Sequence, residues 1–166
     1  MRTGLMLALA LSITSLAGAA TVDPADAWRP MYTFVGTWKG TRAGANGPVK
    51  VTRVYSTSTT NHHLDITESG DGRSRGAVLG EVRFDSERQV LVLHQVAADG
   101  SPADAALDPP ASGTGPLVFA TPESDGARTR ITYERTGARA FVERIERSAG
   151  GESFTVVSET RFVRAD

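Results

Sequence analysis

From residue 34 onward the chain is written in short runs of Val, Thr, Tyr, Phe and Ile, apolar alternating with polar, broken by Gly, Asn, Asp and Pro. Period-two alternation between turn residues is the pattern of half-buried β-strands. Such runs occupy residues 34–42, 49–58, 62–68, 76–84, 90–97, 116–121, 128–136, 138–148 and 152–164. No helix-length segment separates them, which excludes parallel crossover units and leaves an antiparallel meander. A long meander keeps raw edges unless it closes. The pattern therefore predicts an all-β fold, a single up-and-down antiparallel barrel of about eight to ten strands.

The chain before residue 34 reads differently. Asp23-Pro24-Ala25-Asp26 has the form of a helix start, Asp accepting from free N–H groups and Pro pre-set for the first helical position. Pro30 is expected to stop that helix after a turn or two. Ahead of it, Arg2, an uncharged apolar stretch over 5–16 and Ala17-Gly18-Ala19-Ala20 form the three parts of a secretory signal peptide over residues 1–20. The apolar stretch is shorter than the roughly 20 residues a spanning helix needs. The expectation is a periplasmic or secreted protein with no membrane span, residues 21–166 forming one barrel domain. The chain has no Cys, so neither a lipid-modified cysteine nor a disulfide framework is available. With 18 Lys and Arg against 19 Asp and Glu and no basic cluster, nothing marks a nucleic-acid partner.

Hairpin registers follow from the turn residues. Thr136-Gly137 as a two-residue loop pairs Arg135 with Ala138 and sets Arg130 opposite Glu143. A turn over 148–151 then pairs Ile145 with Phe154 and Glu143 with Val156. In that register Phe141, Ile145, Phe154 and Val156 share an apolar face with Arg130 and Glu143 embedded in it. A four-residue loop over 85–88 puts Val82, Leu91 and Leu93 on one face and His94 on the other, beside Glu81 and Arg83. The 98–115 connection is longer than a hairpin loop needs. Ser101-Pro102-Ala103-Asp104 has the form of a helix cap, so a single helical turn up to Leu107, placed as a lid over one barrel mouth, competes with an irregular connector.

Phe34-Val35-Gly36-Thr37-Trp38-Lys39-Gly40, directly behind the short helix, resembles the Gly-x-Trp opening of the calycin superfamily, the lipocalins, fatty-acid-binding proteins and nitrobindin-like barrels. The chain looks most like exported bacterial barrels of that kind whose function is unknown. The resemblance implies a helix closing one barrel end, Gly36 and Trp38 as architectural residues, and Arg161 or Arg164 of the last strand lying across the indole. Nitrobindin-like proteins bind haem, and their first strand continues into a Gly-x-Tyr-Pro pattern. This chain has Thr41-Arg42-Ala43-Gly44 instead.

Candidate chemistry is sparse. His62 and His63 point to opposite faces of one strand, so they cannot chelate one ion together. His63 and Asp65 share a face and offer two ligands where a metal site wants three or four, so no metal site and no cofactor are expected. No cysteine nucleophile, Gly-x-Ser-x-Gly elbow, phosphate loop or His-Glu-x-x-His helix is present, and catalysis is not expected. The leading expectation is a binding module whose lumen holds a small hydrophobic or amphipathic molecule. Its lining is expected from Tyr55, Phe84, Leu91, Leu93, Phe119, Tyr133, Phe141, Ile145, Phe154 and Val156, with Arg130 and Glu143 as polar handles. The rival readings are a filled barrel acting as a structural or interaction protein of the cell envelope, and a haem-binding or weakly catalytic barrel using His94 or Arg130 with Glu143.

Overall fold

The structure, a computed structural model, describes residues 23–44, 46–58, 63–70, 73–96, 102–108, 115–122 and 126–165. The signal-peptide segment 1–20 and His62 lie outside these residues. One helix, α1 (Pro24–Tyr32), precedes ten strands: β1 (Gly36–Gly44), β2 (Gly47–Ser58), β3 (His63–Gly70), β4 (Arg73–Asp85), β5 (Val90–Val96), β6 (Pro102–Asp108), β7 (Leu117–Ala120), β8 (Arg128–Gly137), β9 (Ala140–Ser148) and β10 (Thr155–Arg164). Each strand pairs antiparallel with its neighbours in sequence, and β1 pairs with β10, so the meander closes into a barrel.

The helix begins as its sequence dictates. The Asp23 carboxylate accepts from the Ala25 N–H at 2.9 Å, and Pro24 opens the first turn. It runs through Pro30 to Tyr32, a little beyond the expected stop. Its Trp28 and Met31 are buried, and with Phe34 they plug one end of the barrel. The Trp38 indole N–H donates to the Phe34 carbonyl at 2.6 Å, tying the plug to β1. Of the two cations considered for the indole, Arg164 lies over it at 5.3 Å and donates to the Val35 carbonyl at 3.0 Å. Arg161 points outward to Glu159.

Alternation puts one set of side chains inside. Around the plugged end they make an aromatic core in which the Phe141 ring packs edge-on to Phe34 (5.0 Å between centroids) and Trp38 (4.8 Å) and stacks on Phe162 (4.8 Å). Tyr55, Tyr133 and Phe119 complete it. Gly40 is inward-facing, and a Cβ there would stand 2.7 Å from the Phe162 ring. The absent side chain is what lets that ring lie across β1.

Four expectations are corrected. Within the 98–115 connection, residues 102–108, where a helical turn was expected, form β6, which pairs with β5 and β7. Ala103, Ala105 and Leu107 alternate with Asp104, Ala106 and Asp108, a period-two pattern disguised by small side chains and by a cap-like start. In the β8–β9 hairpin the turn lies at Ala138-Arg139, and a bulge falls between Arg135 and Gly137. Arg130 therefore pairs with Glu146, and Glu143 stands opposite Tyr133. An odd-numbered slip of three residues turns every β9 side chain to the other side relative to β8. In β9–β10, Arg147 pairs with Thr155 and Phe141 with Phe162, with a second bulge between Val156 and Ser158. The β4–β5 hairpin differs from expectation by two residues, Phe84 facing Leu91, and an even slip preserves the faces. His94 accordingly lies outside, opposite Glu81.

Candidate functional site

The lumen is packed at the helix end and open at the other. A cavity of about 270 Å³ occupies the far end, lined on its apolar side by Leu79, Ala103, Ile131, Ile145 and Val157. Its polar side comprises Arg42, Arg53, Gln95, Thr129, Glu143 and Arg147, with Thr121 and Ser158 also at its wall. A larger depression of about 570 Å³ around Lys39, Lys50, Arg161 and Val163 lies on the outer wall and is open to solvent. The luminal cavity has the better enclosure and the convergent polar groups that a small-molecule site needs.

A buried ion-pair network separates the cavity from the aromatic core. Arg53 comes from β2, between the inward-facing Val51 and Tyr55. Its guanidinium donates to Glu68 of β3 (Nη2 to Oε2, 2.7 Å; Nε to Oε2, 3.1 Å), to Glu143 of β9, and to the Tyr55 hydroxyl at 3.3 Å. Arg42 of β1 donates to the other oxygen of Glu68 at 2.9 Å. The Arg53 guanidinium also lies 4.7 Å from the centre of the Phe162 ring. Two guanidinium groups thus meet two carboxylates, so the network is neutral in sum. Among the described residues no buried side-chain polar atom lacks a partner.

The electrostatics of the network follow from burial set against pairing. Burial pushes Arg53 towards losing its proton, but the charge of Glu143 and contacts with the two tyrosines outweigh it and raise its pKa well above the ordinary value. Burial would also raise Glu68, yet the charges and hydrogen bonds of Arg53 and Arg42 hold its carboxyl below the usual carboxylate range. Burial pushes the Tyr55 hydroxyl up to about 12, and it raises Tyr133 as well, further helped by Tyr55 and Glu143. All four groups are therefore held in one protonation state at neutral pH.

The sequence-predicted lining divides between core, cavity and outer wall. Tyr55, Leu91, Leu93, Phe119, Tyr133 and Phe141 face inward but belong to the packed core. Phe84 packs against that core and is half-buried. Glu143 and Ile145 line the cavity. Arg130, Phe154 and Val156 are corrected: they lie outside. Arg130 makes a two-pronged pair with Glu146 (2.9 and 3.0 Å), and its guanidinium stacks on Phe154 at 4.2 Å. Val156 is 51% exposed. His94, Arg130 and Glu143 do not converge, because the first two are on the outer surface and the third is inside.

Sequence reasoning missed Arg42, Arg53 and Glu68. A signal existed. Arg53 occupies the inward parity of Val51 and Tyr55, and Glu68 that of Leu64 and Ile66, so each is a charge on an otherwise apolar strand face. Two opposite charges of that kind on adjacent strands point to an internal pair.

No protein-family model matches the chain, and no curated protein matches it. Among solved structures, a de novo designed fluorescence-activating β-barrel is similar over 80% of this chain and 94% of its own, with a TM-score of 0.38 and 19% sequence identity. A redesigned β-barrel is similar over 81% of this chain and 94% of its own, with a TM-score of 0.35 and 11% identity. At those values neither likeness bears on ligand or activity.

Proposed function

We propose that the protein is an exported carrier whose half-open barrel holds a small, partly apolar molecule against the Arg53 network. The cavity of about 270 Å³ carries this reading. A filled barrel acting only through its outer surface has no reason to leave one half of its lumen open, with arginines and an acid at its floor and aliphatic residues around its wall. The molecule that fits is of modest size, with an apolar portion against Leu79, Ile131 and Ile145 and a polar group able to bond Arg42, Gln95 or Arg147. Binding without catalysis is part of the proposal: the charges at the floor are paired, Arg53 with Glu68 and Glu143 and Arg42 with Glu68. Export rests on the pattern of residues 1–20. The calycin-like relationship is supported by Gly36 and Trp38 at the head of β1, the helix plug and Arg164 over the indole.

The test is native mass spectrometry of the mature protein purified gently from its host, beside the Ala103→Trp variant. Ala103 lines the cavity, and an indole there fills it without removing any network group. The expected result is a releasable small molecule on the parent and none on the variant. Clean, ligand-free parent protein from several growth conditions would overturn the carrier reading in favour of an interaction barrel.

A further inference from the structure

Outside the lumen, the strand register assembles a second set of chemically active side chains. Asp65 of β3, Glu81 of β4, His94 of β5 and Asp104 of β6 stand directly opposite one another in a row across four strands. His63 lies two residues along from Asp65 on the same outward face. The His63 Nε2 is 3.2 Å from Asp65 Oδ1, and one ligand atom from each of His63, Asp65 and Glu81 lies within 4.8 Å of the others. The sequence alone placed only two of these on one face of one strand. Pairing with β4 supplies the third.

Directly opposed carboxylates on neighbouring strands repel one another. Among the described residues Arg83 is the permanent cation that reaches this row, at 3.9 Å from Glu81 and 3.6 Å from Asp104, both longer than a hydrogen bond. Among the described residues, three carboxylates meet one distant guanidinium and two imidazoles in this patch. The donor set is one imidazole nitrogen and two carboxylates, partly buried and each on a rigid strand. That is the ligand number and type of a three-protein-ligand zinc-like site with a remaining position for water. The neighbouring His94 has its Nδ1 against the Asp104 carboxylate.

We propose that His63, Asp65 and Glu81 bind a first-row divalent transition metal of the zinc type on the outer wall of the barrel, bridging β3 and β4. The site is independent of the luminal cavity. Its ligands come from strand faces that point away from the lumen, so its failure would leave the carrier reading standing, and the converse holds.

The experiment is calorimetric titration of untagged, chelator-stripped protein with Zn²⁺, with Co²⁺ as a spectroscopic probe and Mg²⁺ and Ca²⁺ as hard-ion controls. Expected are saturable binding of about one Zn²⁺ per chain, a Co²⁺ visible band, and much weaker binding of the hard ions. His63→Ala, Asp65→Asn and Glu81→Gln should each weaken Zn²⁺ binding by at least about tenfold, since loss of even an outer-shell partner costs that much. Glu146→Gln, on the other side of the barrel, should leave it unchanged. Zn²⁺ should also raise the melting temperature of the parent and not of the three variants. Absence of saturable Zn²⁺ binding and of a Co²⁺ band in the parent would overturn the proposal without recourse to any variant. Undiminished binding in folded His63→Ala and Glu81→Gln proteins would do so equally.

Discussion

The two halves of the lumen are built on the same alternation of inward and outward residues, yet one is a core and the other a cavity. At the helix end the inward positions are Phe34, Trp38, Tyr55, Phe119, Tyr133, Phe141 and Phe162, and the rings lock together over a fully buried floor. At the far end the inward positions are Leu79, Gln95, Ala103, Thr129 and Ile145, which are too small or too polar to fill a barrel of ten strands. What divides the halves is Arg53, which touches Phe162 on one side and lines the cavity on the other. Residue size at the inward positions fills one half and leaves the other open, and the open half also carries the strand bulges at Leu79 and Val157, both of which line the cavity.

The dividing network is the place where the contrast breaks most easily. Arg53→Met leaves Glu68 and Glu143 as buried carboxylates without their shared cation, and should cost about 3–5 kcal/mol at neutral pH by denaturant titration. The pH dependence supplies the sign. The parent's Glu68 is held below the usual carboxylate range, so the stability it confers is present at neutral pH and is lost as pH falls through that lowered value. In Arg53→Met Glu68 loses the charge and hydrogen bonds of Arg53, its carboxyl moves upward, and protonation relieves the burial. The deficit of the variant relative to the parent should therefore shrink on acidification below about pH 5. A deficit that stays constant between neutral and acid pH would show that the network does not hold the halves together electrostatically.

Truncations on either side sharpen the same contrast. Phe141→Ala removes the ring that contacts Phe34, Trp38, Tyr133 and Phe162 and should cost about 3–5 kcal/mol. Ile145→Ala, four residues along on the same strand face, borders a space that is already open, and should cost no more than about 2 kcal/mol, the low end for an aliphatic core residue. Ligand release in native mass spectrometry should respond in the opposite order, with Ile145→Ala altering it and Phe141→Ala altering it only through stability. Equal destabilisation by the two truncations would mean that the far half is packed after all.

Gly40 probes how closely the core half is fitted. Its Cβ would meet the Phe162 ring at 2.7 Å and the Thr160 methyl at 2.9 Å, whereas a Cβ at Gly137 meets nothing within 4 Å. Gly40→Ala should cost about 1–3 kcal/mol through overpacking, with a changed near-ultraviolet signature from Trp38. Gly137→Ala should leave stability within about 0.5 kcal/mol. A neutral Gly40→Ala would mean that Phe162 has room to retreat.

Much of the architecture was legible and much of the site was not, for physical reasons that differ by element. Nine of the strands and the helix announce themselves through period-two runs and through Asp23-Pro24, because burying one face of a strand requires that alternation. β6 was hidden: Ala103, Ala105 and Leu107 carry little hydrophobic signal, and a barrel interior with space to spare does not demand more. His94 could be placed outside because its hairpin differed by an even number of residues, which keeps faces. Glu143 lies inside as its apolar strand face implied, but Arg130 was placed on the wrong face because one bulge near Thr136 makes the difference odd, and bulges leave no mark in composition. Arg53 and Glu68 were visible as charges at inward positions, but only the closed barrel says that Glu143, ninety residues along the chain from Arg53, comes to the same point.

Arg130 supplies the smallest and most discriminating test of that inversion. The hairpin read from turn residues puts it inside the open half as a polar handle; the structure puts it on the outer wall, paired with Glu146 and stacked on Phe154. A part-buried pair on the outer wall contributes about 1 kcal/mol, and a guanidinium over a half-buried ring adds little beyond that. Arg130→Ala should therefore lower stability by about 1 kcal/mol at most, lose even that in high salt, and leave the carried molecule in place. If the same substitution instead emptied the barrel in native mass spectrometry, Arg130 would have to face the lumen, as the register read from the turn residues has it.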